Sequence, residues 1–230
     1  MALDKDLRDW ADDACLDRYL RARSYNVDKA EAMLAGSLKW RREFGTHKLL
    51  GEYMQDVQSE GAVGKMYVHG KDNMGRPVIY MKPRLDQQKG TQVQQMRHLV
   101  YTLERAISMM ENGVEKFVLL IDFNGYSLRN APSISTQRET LSILQNQYPE
   151  RLGLAVCYCA PFLFNQSFKL IKPFIDPVTA AKLAFVSEKE KVTYFSTHFP
   201  VSCLERDYSG DDPTEYNPAQ YFAHTPAIVA

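Results

Sequence analysis

Five consecutive apolar residues, Phe117-Val-Leu-Leu-Ile121, indicate a strand in the middle of a sheet. A strand that is apolar at every position is typical of a sheet covered on both faces, because a half-exposed strand alternates apolar with polar residues. Asp122 follows the run, and Asn124-Gly125 marks a turn. Further short strand candidates lie on either side of this run: Tyr67-Val68, Val78-Ile-Tyr-Met81, Leu154-Ala-Val-Cys-Tyr158 and Leu183-Ala-Phe-Val186.

Helical patterns alternate with these strand candidates. Between the second and the third candidate, apolar residues step by three or four positions, the spacing of an amphipathic helix. A further helix is expected from about Ile134 to Asn146. Strands that alternate with helices predict an α/β fold with a mixed, largely parallel sheet. The residues of the first pattern are Val93, Met96, Val100, Leu103, Ile107 and Met110.

The first part of the chain has helical patterns. Asn26 can cap a helix in which apolar residues repeat at helical spacing towards Gly45. We therefore expect an amino-terminal helical lobe in residues 1–55, followed by a sheet-containing domain in residues 56–230.

The composition is that of a globular protein, with 45% apolar and 24% charged residues. Lys+Arg and Asp+Glu both number 28, so the net charge is zero and predicts no nucleic-acid partner. No apolar stretch is long enough to span a bilayer, and the amino terminus is charged from Asp4 onward, unlike a secretory signal. These features predict a cytoplasmic protein.

The sequence lacks the motifs of common α/β enzymes. It contains no GxSxG, GxxxxGK[ST], GxGxxG or HExxH pattern. The five histidines are scattered and the cysteines lack CxxC spacing, so we expect no metal site and no cofactor. Asp122 follows a strand, where α/β proteins often place catalytic groups, yet a capped turn explains this residue equally well.

Two segments hold polar groups in otherwise apolar surroundings. The first is Tyr148-Pro-Glu-Arg-Leu-Gly153, and the second is Lys172-Pro-Phe-Ile-Asp-Pro-Val-Thr-Ala-Ala-Lys182. Asp176 can cap a short helix with Pro177 at its first position, so that Thr179 and Lys182 share one face. A hydroxyl and an ammonium near an arginine can hold a phosphate group. A surface cluster of ion pairs is the alternative.

The segment between them, Pro161 to Ile175, is apolar over more than one helical face. A buried helix explains this pattern, and so does a lid that closes an apolar cavity and meets a membrane.

Several strings, taken in order, resemble the CRAL-TRIO family of lipid-binding proteins, specifically yeast-type phosphatidylinositol transfer proteins. They span nearly the whole chain: Tyr19-Leu-Arg-Ala-Arg23, Lys39-Trp-Arg-Arg-Glu-Phe-Gly45, Gly75-Arg-Pro-Val78, Leu119-Leu-Ile-Asp122, Tyr148 to Gly153, and Lys172 to Lys182.

The resemblance implies a helical lobe and, in residues 56–230, a lipid-binding domain in which the sheet floors a cavity closed by a gating helix. That helix would include Phe162, Leu163, Phe164, Phe168 and Ile171. The resemblance further implies a phosphatidylinositol headgroup site at Arg23, Glu150, Arg151, Thr179 and Lys182. A phosphodiester in a partly buried site needs cationic partners, and Glu150 can accept hydrogen bonds from inositol hydroxyls.

One departure bears on the second ligand. Members of the family that exchange phosphatidylcholine carry hydroxyl-bearing side chains at four cavity positions, which here are Val68, Ile79, Phe117 and Leu119. An apolar wall favours a wholly hydrophobic guest. The wider pattern resembles the fungal branch linked to sterol binding and azole resistance, and a squalene-binding branch remains an alternative.

The sequence therefore predicts a non-enzymatic carrier that exchanges phosphatidylinositol for a second apolar lipid, a sterol, during transient membrane contact, with a functional link to phosphoinositide kinases. The alternatives are a carrier of squalene, an isoprenoid or haem, and an α/β enzyme that acts on a phosphorylated substrate with Asp122 or Glu150 as its base.

Overall fold

The structure is a computed structural model that describes residues 5–87, 90–161 and 177–224. Its sheet has five strands in sequential order. The first pair is antiparallel and each later pair is parallel. The predicted mixed, largely parallel sheet is therefore confirmed. The strands are β1 Met66–Lys71, β2 Pro77–Met81, β3 Phe117–Asp122, β4 Leu152–Tyr158 and β5 Leu183–Val186.

Helices connect and cover these strands. α5 links β2 to β3, and α6 links β3 to β4, the arrangement that joins parallel neighbours. The α-helices in the described ranges are α1 Lys5–Trp10, α2 Asp13–Ala22, α3 Val27–Phe44, α4 Met54–Gly61, α5 Gln92–Ser108, α6 Ile134–Ser142, α7 Pro177–Ala180, α8 Lys191–His198 and α9 Pro218–Ala223.

Local sequence sets the limits of α3 and α5. The Asn26 side chain accepts a hydrogen bond from the Lys29 N–H at 3.0 Å, and Gly45 ends α3 in the left-handed region with a φ of 77°. Thr91 and Gln94 form a reciprocal capping box at the start of α5. The helix predicted to reach Asn146 changes character at Ser142, because Ile143–Gln147 continues as a wider π-helical turn.

Two apolar clusters cover the two faces of the sheet. The lobe-side cluster joins one face to α5, to Trp40 and Phe44 of α3, and to Phe222 of α9. The opposite cluster joins the other face to Phe195 and Phe199 and to the segment after them. Since both faces are covered, the apolar character of β3 at every position is explained.

A buried ion pair fastens the carboxyl-terminal segment to the opposite cluster. The Lys82 ammonium lies 2.8 Å from a Glu205 carboxylate oxygen, and the Tyr67 hydroxyl donates to the same carboxylate. The Lys82 nitrogen also lies 5.5–5.9 Å from the ring centres of Tyr67, Tyr80 and Tyr208. These contacts satisfy a lysine that would otherwise be costly to bury.

Two expectations are not tested by this architecture. The proposed gating helix, with Phe162, Leu163, Phe164, Phe168 and Ile171, lies outside the described residues. The division into residues 1–55 and 56–230 stays a prediction. In the described ranges, no helix combines the length and the apolar character needed to cross a bilayer.

Candidate functional site

A cavity of about 900 Å³ lies on the lobe-side face of the sheet. Its floor includes Met66, Met81 and Ile121, and α5 contributes Met96, His98 and Leu99. α6 and the loop before it form much of the remaining described wall. The volume lies within the range of about 300–1,000 Å³ that is usual for small-molecule sites. An apolar floor of this size is suited to a lipid.

The four predicted cavity residues lie on the same face of the sheet, within the lobe-side cluster. Val68 pairs with Ile79, and Ile79 pairs with Leu119 in the next strand, so these three form a row across the sheet. Phe117 lies two residues before Leu119 on the same face. All four are buried, with at most 9% of the surface of each exposed.

The described lining of the cavity instead comes from the neighbouring row. Met66 pairs with Met81, and Met81 pairs with Ile121, each two residues along its strand from the predicted row. These three residues line the cavity, whereas the predicted four are not among the described lining residues. The four residues share the face of the cavity, and the alternation of side chains does not fix how far along the strands a cavity lies. Their contact with a ligand stays a prediction.

Two of the predicted headgroup residues lie in a short loop before β4. Glu150 has a φ of 59°, in the left-handed region that non-glycine residues seldom occupy. Its carboxylate is 4.0 Å from the Lys116 ammonium. Such backbone strain persists only where the surrounding structure holds it, and it is frequent at functional sites.

Arg151 is a cation with neutral hydrogen-bond partners. Its guanidinium donates to the Glu115 carbonyl at 2.9 Å and lies 3.6 Å from the Met110 sulfur. Burial, followed by the charge of Arg18, lowers the pKa of Arg151 to about 10. Arg151 has no direct carboxylate partner among the residues that the structure describes, so its charge would stabilise an anion placed beside it.

Two arginines of α2 join Arg151 in an arginine cluster that we define as Arg18, Arg21, Glu115, Glu150 and Arg151. The Glu115 carboxylate lies 3.2 Å from Arg18 and 2.6 Å from Arg21. Burial raises the pKa of Glu115, but hydrogen bonds and charges from Arg21 and Arg18 outweigh burial and lower it. The hydrogen bond to Glu115 raises the pKa of Arg21, and Glu150 adds to that effect.

The other predicted headgroup residues are placed as follows. Arg23 lies at the end of α2, and its guanidinium donates to the Ala22 carbonyl at 2.9 Å. The backbone of Thr179 belongs to α7, and Lys182 precedes β5. The Lys182 carbonyl accepts a hydrogen bond from the Ala155 N–H of β4 at 2.9 Å.

The loop with Glu150 and Arg151 is anchored through Tyr148. The Tyr148 hydroxyl donates to the Glu104 carboxylate of α5 at 2.6 Å, and Arg41 of α3 donates to the same oxygen at 2.8 Å. Burial, and then the Glu104 charge, raises the pKa of Tyr148 well above its ordinary value. The side chain of Trp10 covers the Arg41 guanidinium at 4.4 Å. The loop thus has a fixed connection to the helical lobe.

Sequence reasoning missed Arg18, Glu115 and His98. Arg18 and Arg21 are three residues apart on one helix, a spacing that places both on one face and could have indicated a shared partner. Glu115 comes from the loop before β3, and only the fold brings it to α2. His98 was one of five scattered histidines, with no nearby motif to single it out.

Asp122 makes three contacts that explain it structurally. One carboxylate oxygen accepts the Asn124 N–H at 2.9 Å, as in a capped turn. The other accepts the Tyr208 hydroxyl at 3.1 Å and pairs with Arg84. A carboxylate held by these donors is poorly suited to act as a general base. In the part of the chain that the structure describes, no group of three or more metal-ligating side chains occurs.

Comparison with known proteins identifies two matching family profiles. The CRAL/TRIO domain profile matches residues 62–210, and the CRAL/TRIO N-terminal domain profile matches residues 5–36. A solved structure described as the crystal structure of Sfh5 superposes with a TM-score of 0.70 at 17% identity, over 98% of this chain and 79% of that one. At that identity the likeness concerns the fold alone.

Curated relatives come from fungi. A CRAL-TRIO domain-containing protein of Schizosaccharomyces pombe is 38% identical over 93% of this chain and 20% of its own length. Phosphatidylinositol transfer protein PDR17 of Saccharomyces cerevisiae is 36% identical over 87% of this chain and 58% of its own. SEC14 cytosolic factor of Candida glabrata is 34% identical over 75% and 62%. The chain thus spans between a fifth and about three fifths of these relatives.

Proposed function

Because the chain belongs to the CRAL/TRIO domain family, we propose that it is a lipid carrier that binds phosphatidylinositol and a second apolar lipid, a sterol, and exchanges them between membranes. The cavity of about 900 Å³ on the sheet is the observation that carries this proposal. A cavity with an apolar floor removes the apolar surface of a lipid from water, which favours binding. Two relatives, PDR17 of Saccharomyces cerevisiae and CSR1 of Eremothecium gossypii, are named as phosphatidylinositol transfer proteins.

The arginine cluster supports an anionic headgroup. Among the described residues, the Arg151 guanidinium has two neutral hydrogen-bond acceptors, the Glu115 carbonyl and the Met110 sulfur. A phosphodiester carries one negative charge, which Arg151 can meet with charge-assisted hydrogen bonds. Glu150 can accept hydrogen bonds from inositol hydroxyls. In this proposal Arg23, Thr179 and Lys182 complete the headgroup site.

The second guest would lie against the apolar floor. Met66, Met81 and Ile121 of the described floor give no hydrogen-bonding side chain to a zwitterionic headgroup. The same holds for the predicted cavity residues Val68, Ile79, Phe117 and Leu119, so phosphatidylcholine would lose polar contacts on this face. The carrier would work in the cytoplasm and meet membranes transiently, with the segment of Phe162 to Ile171 as the proposed gate. Delivery of phosphatidylinositol to phosphoinositide kinases is the proposed link to signalling.

Transfer between labelled vesicles tests the headgroup assignment. In a Glu150→Ala, Lys182→Ala double variant, phosphatidylinositol transfer should fall to background while sterol transfer is retained. The matched control is Lys29→Ala, Glu31→Ala, which removes the same two charges from exposed positions of α3. Unchanged phosphatidylinositol transfer in the first variant would refute the assignment, and equal losses in both variants would show a general effect of charge.

A further inference from the structure

His98 is a buried polar residue in the wall of an apolar cavity. It projects from α5, lines the cavity and has no exposed surface. Neither ring nitrogen has a hydrogen-bond partner in the described ranges. Among the described residues that line the cavity, no other side chain has a buried nitrogen or oxygen atom without a partner. A buried polar group left unpaired destabilises the folded protein, so His98 calls for an explanation.

The imidazole is neutral and offers one acceptor. Burial, followed by the charge of Lys65, lowers the pKa of His98 to about 3. The nearby Met66 backbone acts in the opposite direction and raises the pKa of the ring. The Met66 backbone and the imidazole nitrogens do not, however, meet the geometry of a hydrogen bond. A ring nitrogen whose proton points towards Met66 leaves the second nitrogen with a free lone pair. The missing partner is therefore a hydrogen-bond donor.

An acidic guest does not supply the missing donor. The Lys65 ammonium, which also lines the cavity, is already paired, at 2.5 Å from Glu60 and 3.1 Å from Asp86. A fatty acid is deprotonated at neutral pH, and its carboxylate has no hydrogen to donate to His98. A neutral hydroxyl group supplies that donor.

We propose that His98 is the polar anchor of the cavity and accepts a hydrogen bond from the hydroxyl group of an otherwise apolar lipid. The cavity then selects lipid alcohols, such as a sterol or an isoprenoid alcohol, over hydrocarbons such as squalene. This inference rests on the proposed function, because it concerns the second guest of the same carrier. It adds a specificity-determining residue that lies outside the arginine cluster.

The wall beside His98 can adjust to a guest. Met66, Met81 and Met96 line the cavity around this region. The unbranched methionine side chain changes rotamer at low cost and fills irregular spaces. A guest hydroxyl can therefore approach the buried ring by moving flexible side chains and without displacing the backbone.

Binding measurements with matched lipids test the proposal. Cholestanol and cholestane differ by one hydroxyl, and phytol and phytane form the same comparison for isoprenoids. Each lipid competes with a fluorescent sterol for the chain of residues 1–230. We expect cholestanol to bind about tenfold more tightly than cholestane, as the loss of a buried hydrogen bond implies. A preference within only one of the two pairs identifies the class of alcohol.

The variant His98→Phe should reduce that preference to less than about threefold, because the acceptor is gone. His98→Gln restores an acceptor and should restore part of the preference, which a merely structural role would not produce. Leu103→Met, a buried substitution elsewhere on α5, is the control for repacking. If His98→Phe fails to fold, His98→Leu replaces it as the variant that lacks an acceptor, with the same expected loss of preference.

Three results would overturn the proposal. They are equal affinity of wild type for the two members of both lipid pairs, an undiminished preference in His98→Phe, and a haem absorbance band in the purified protein. Phosphatidylinositol transfer, measured on the same wild-type preparation, distinguishes failure of the proposed carrier function from failure of the proposed role of His98. Absence of both that transfer and any lipid uptake refutes the carrier function, whereas uptake without a hydroxyl preference refutes only the role of His98.

Discussion

The Arg41 guanidinium of α3 lies 2.8 Å from the Glu104 carboxylate of α5, and at most 5% of either side chain is exposed. The Tyr148 hydroxyl shares the same carboxylate oxygen. The Glu104 carboxylate of α5 thus connects this helix to α3 in the helical lobe and to the loop that carries Glu150 and Arg151. A charge buried to this degree is tolerated only while its partner remains.

Removing one partner should therefore cost more than removing both. Glu104→Leu leaves Arg41 buried without its carboxylate, and we expect a loss of about 3–5 kcal/mol in the free energy of unfolding. The double variant Arg41→Met, Glu104→Leu should lose less than either single variant. Urea denaturation of the four proteins measures this coupling. A loss below about 1 kcal/mol in Glu104→Leu would contradict the expectation.

Arg151→Met should separate stability from transfer. The substitution removes a charge that burial and Arg18 disfavour, and this gain offsets the lost hydrogen bond to the Glu115 carbonyl. We expect the free energy of unfolding to change by less than about 1 kcal/mol, while phosphatidylinositol transfer falls. Denaturation and vesicle transfer on the same preparation check both parts. Full transfer activity in this variant would remove Arg151 from the proposed headgroup site.

Two glycine substitutions should act in opposite directions. Gly70 has a φ of 64°, and an added Cβ would collide with the Cys203 carbonyl, so Gly70→Ala should destabilise the protein. The left-handed conformation alone costs a non-glycine residue about 1–2 kcal/mol. Gly36 lies within α3 with open space around it, and Gly36→Ala should stabilise by about 0.5–1 kcal/mol. Thermal unfolding of both variants measures the two signs.

The neutral state of His98 should make the protein sensitive to acid. Its pKa is about 3 in the folded protein against an ordinary 6.5. Below pH 6.5 the unfolded chain therefore binds a proton that the folded protein does not, and stability falls as the pH decreases towards 3. Between pH 7 and pH 5, wild type should lose about 2 kcal/mol more than His98→Phe. Urea denaturation at both pH values measures the difference, and identical losses would contradict it.

Much of the fold could be predicted because local signals agree with it. Asn26 caps the start of α3 and Gly45 ends it, as the chemistry of these two residues suggests. The apolar run from Phe117 to Ile121 is a central strand covered on both faces. The π-helical turn after Ser142 was missed, since a helical pattern does not distinguish i→i+4 from i→i+5 bonding.

The site was less accessible from sequence. The resemblance predicted cavity positions at Val68, Ile79 and Leu119, which lie on the same face of the sheet as the cavity, yet the described cavity floor is the row of Met66, Met81 and Ile121. Depth along a strand depends on how helices pack over the sheet, which no local pattern encodes. The position of His98 in the cavity wall and the approach of Glu115 to α2 also depend on tertiary packing, so the sequence did not predict them.

Among the described residues, the two apolar clusters on opposite faces of the sheet share no buried member. In the proposed carrier, a guest that enters or leaves the cavity would change the contacts of the lobe-side cluster, while the opposite cluster would keep its packing around Tyr80, Phe195 and Tyr208. The sheet would then separate a region whose contents vary from a region that stays packed. Exchange of cargo would not require the proposed carrier to refold.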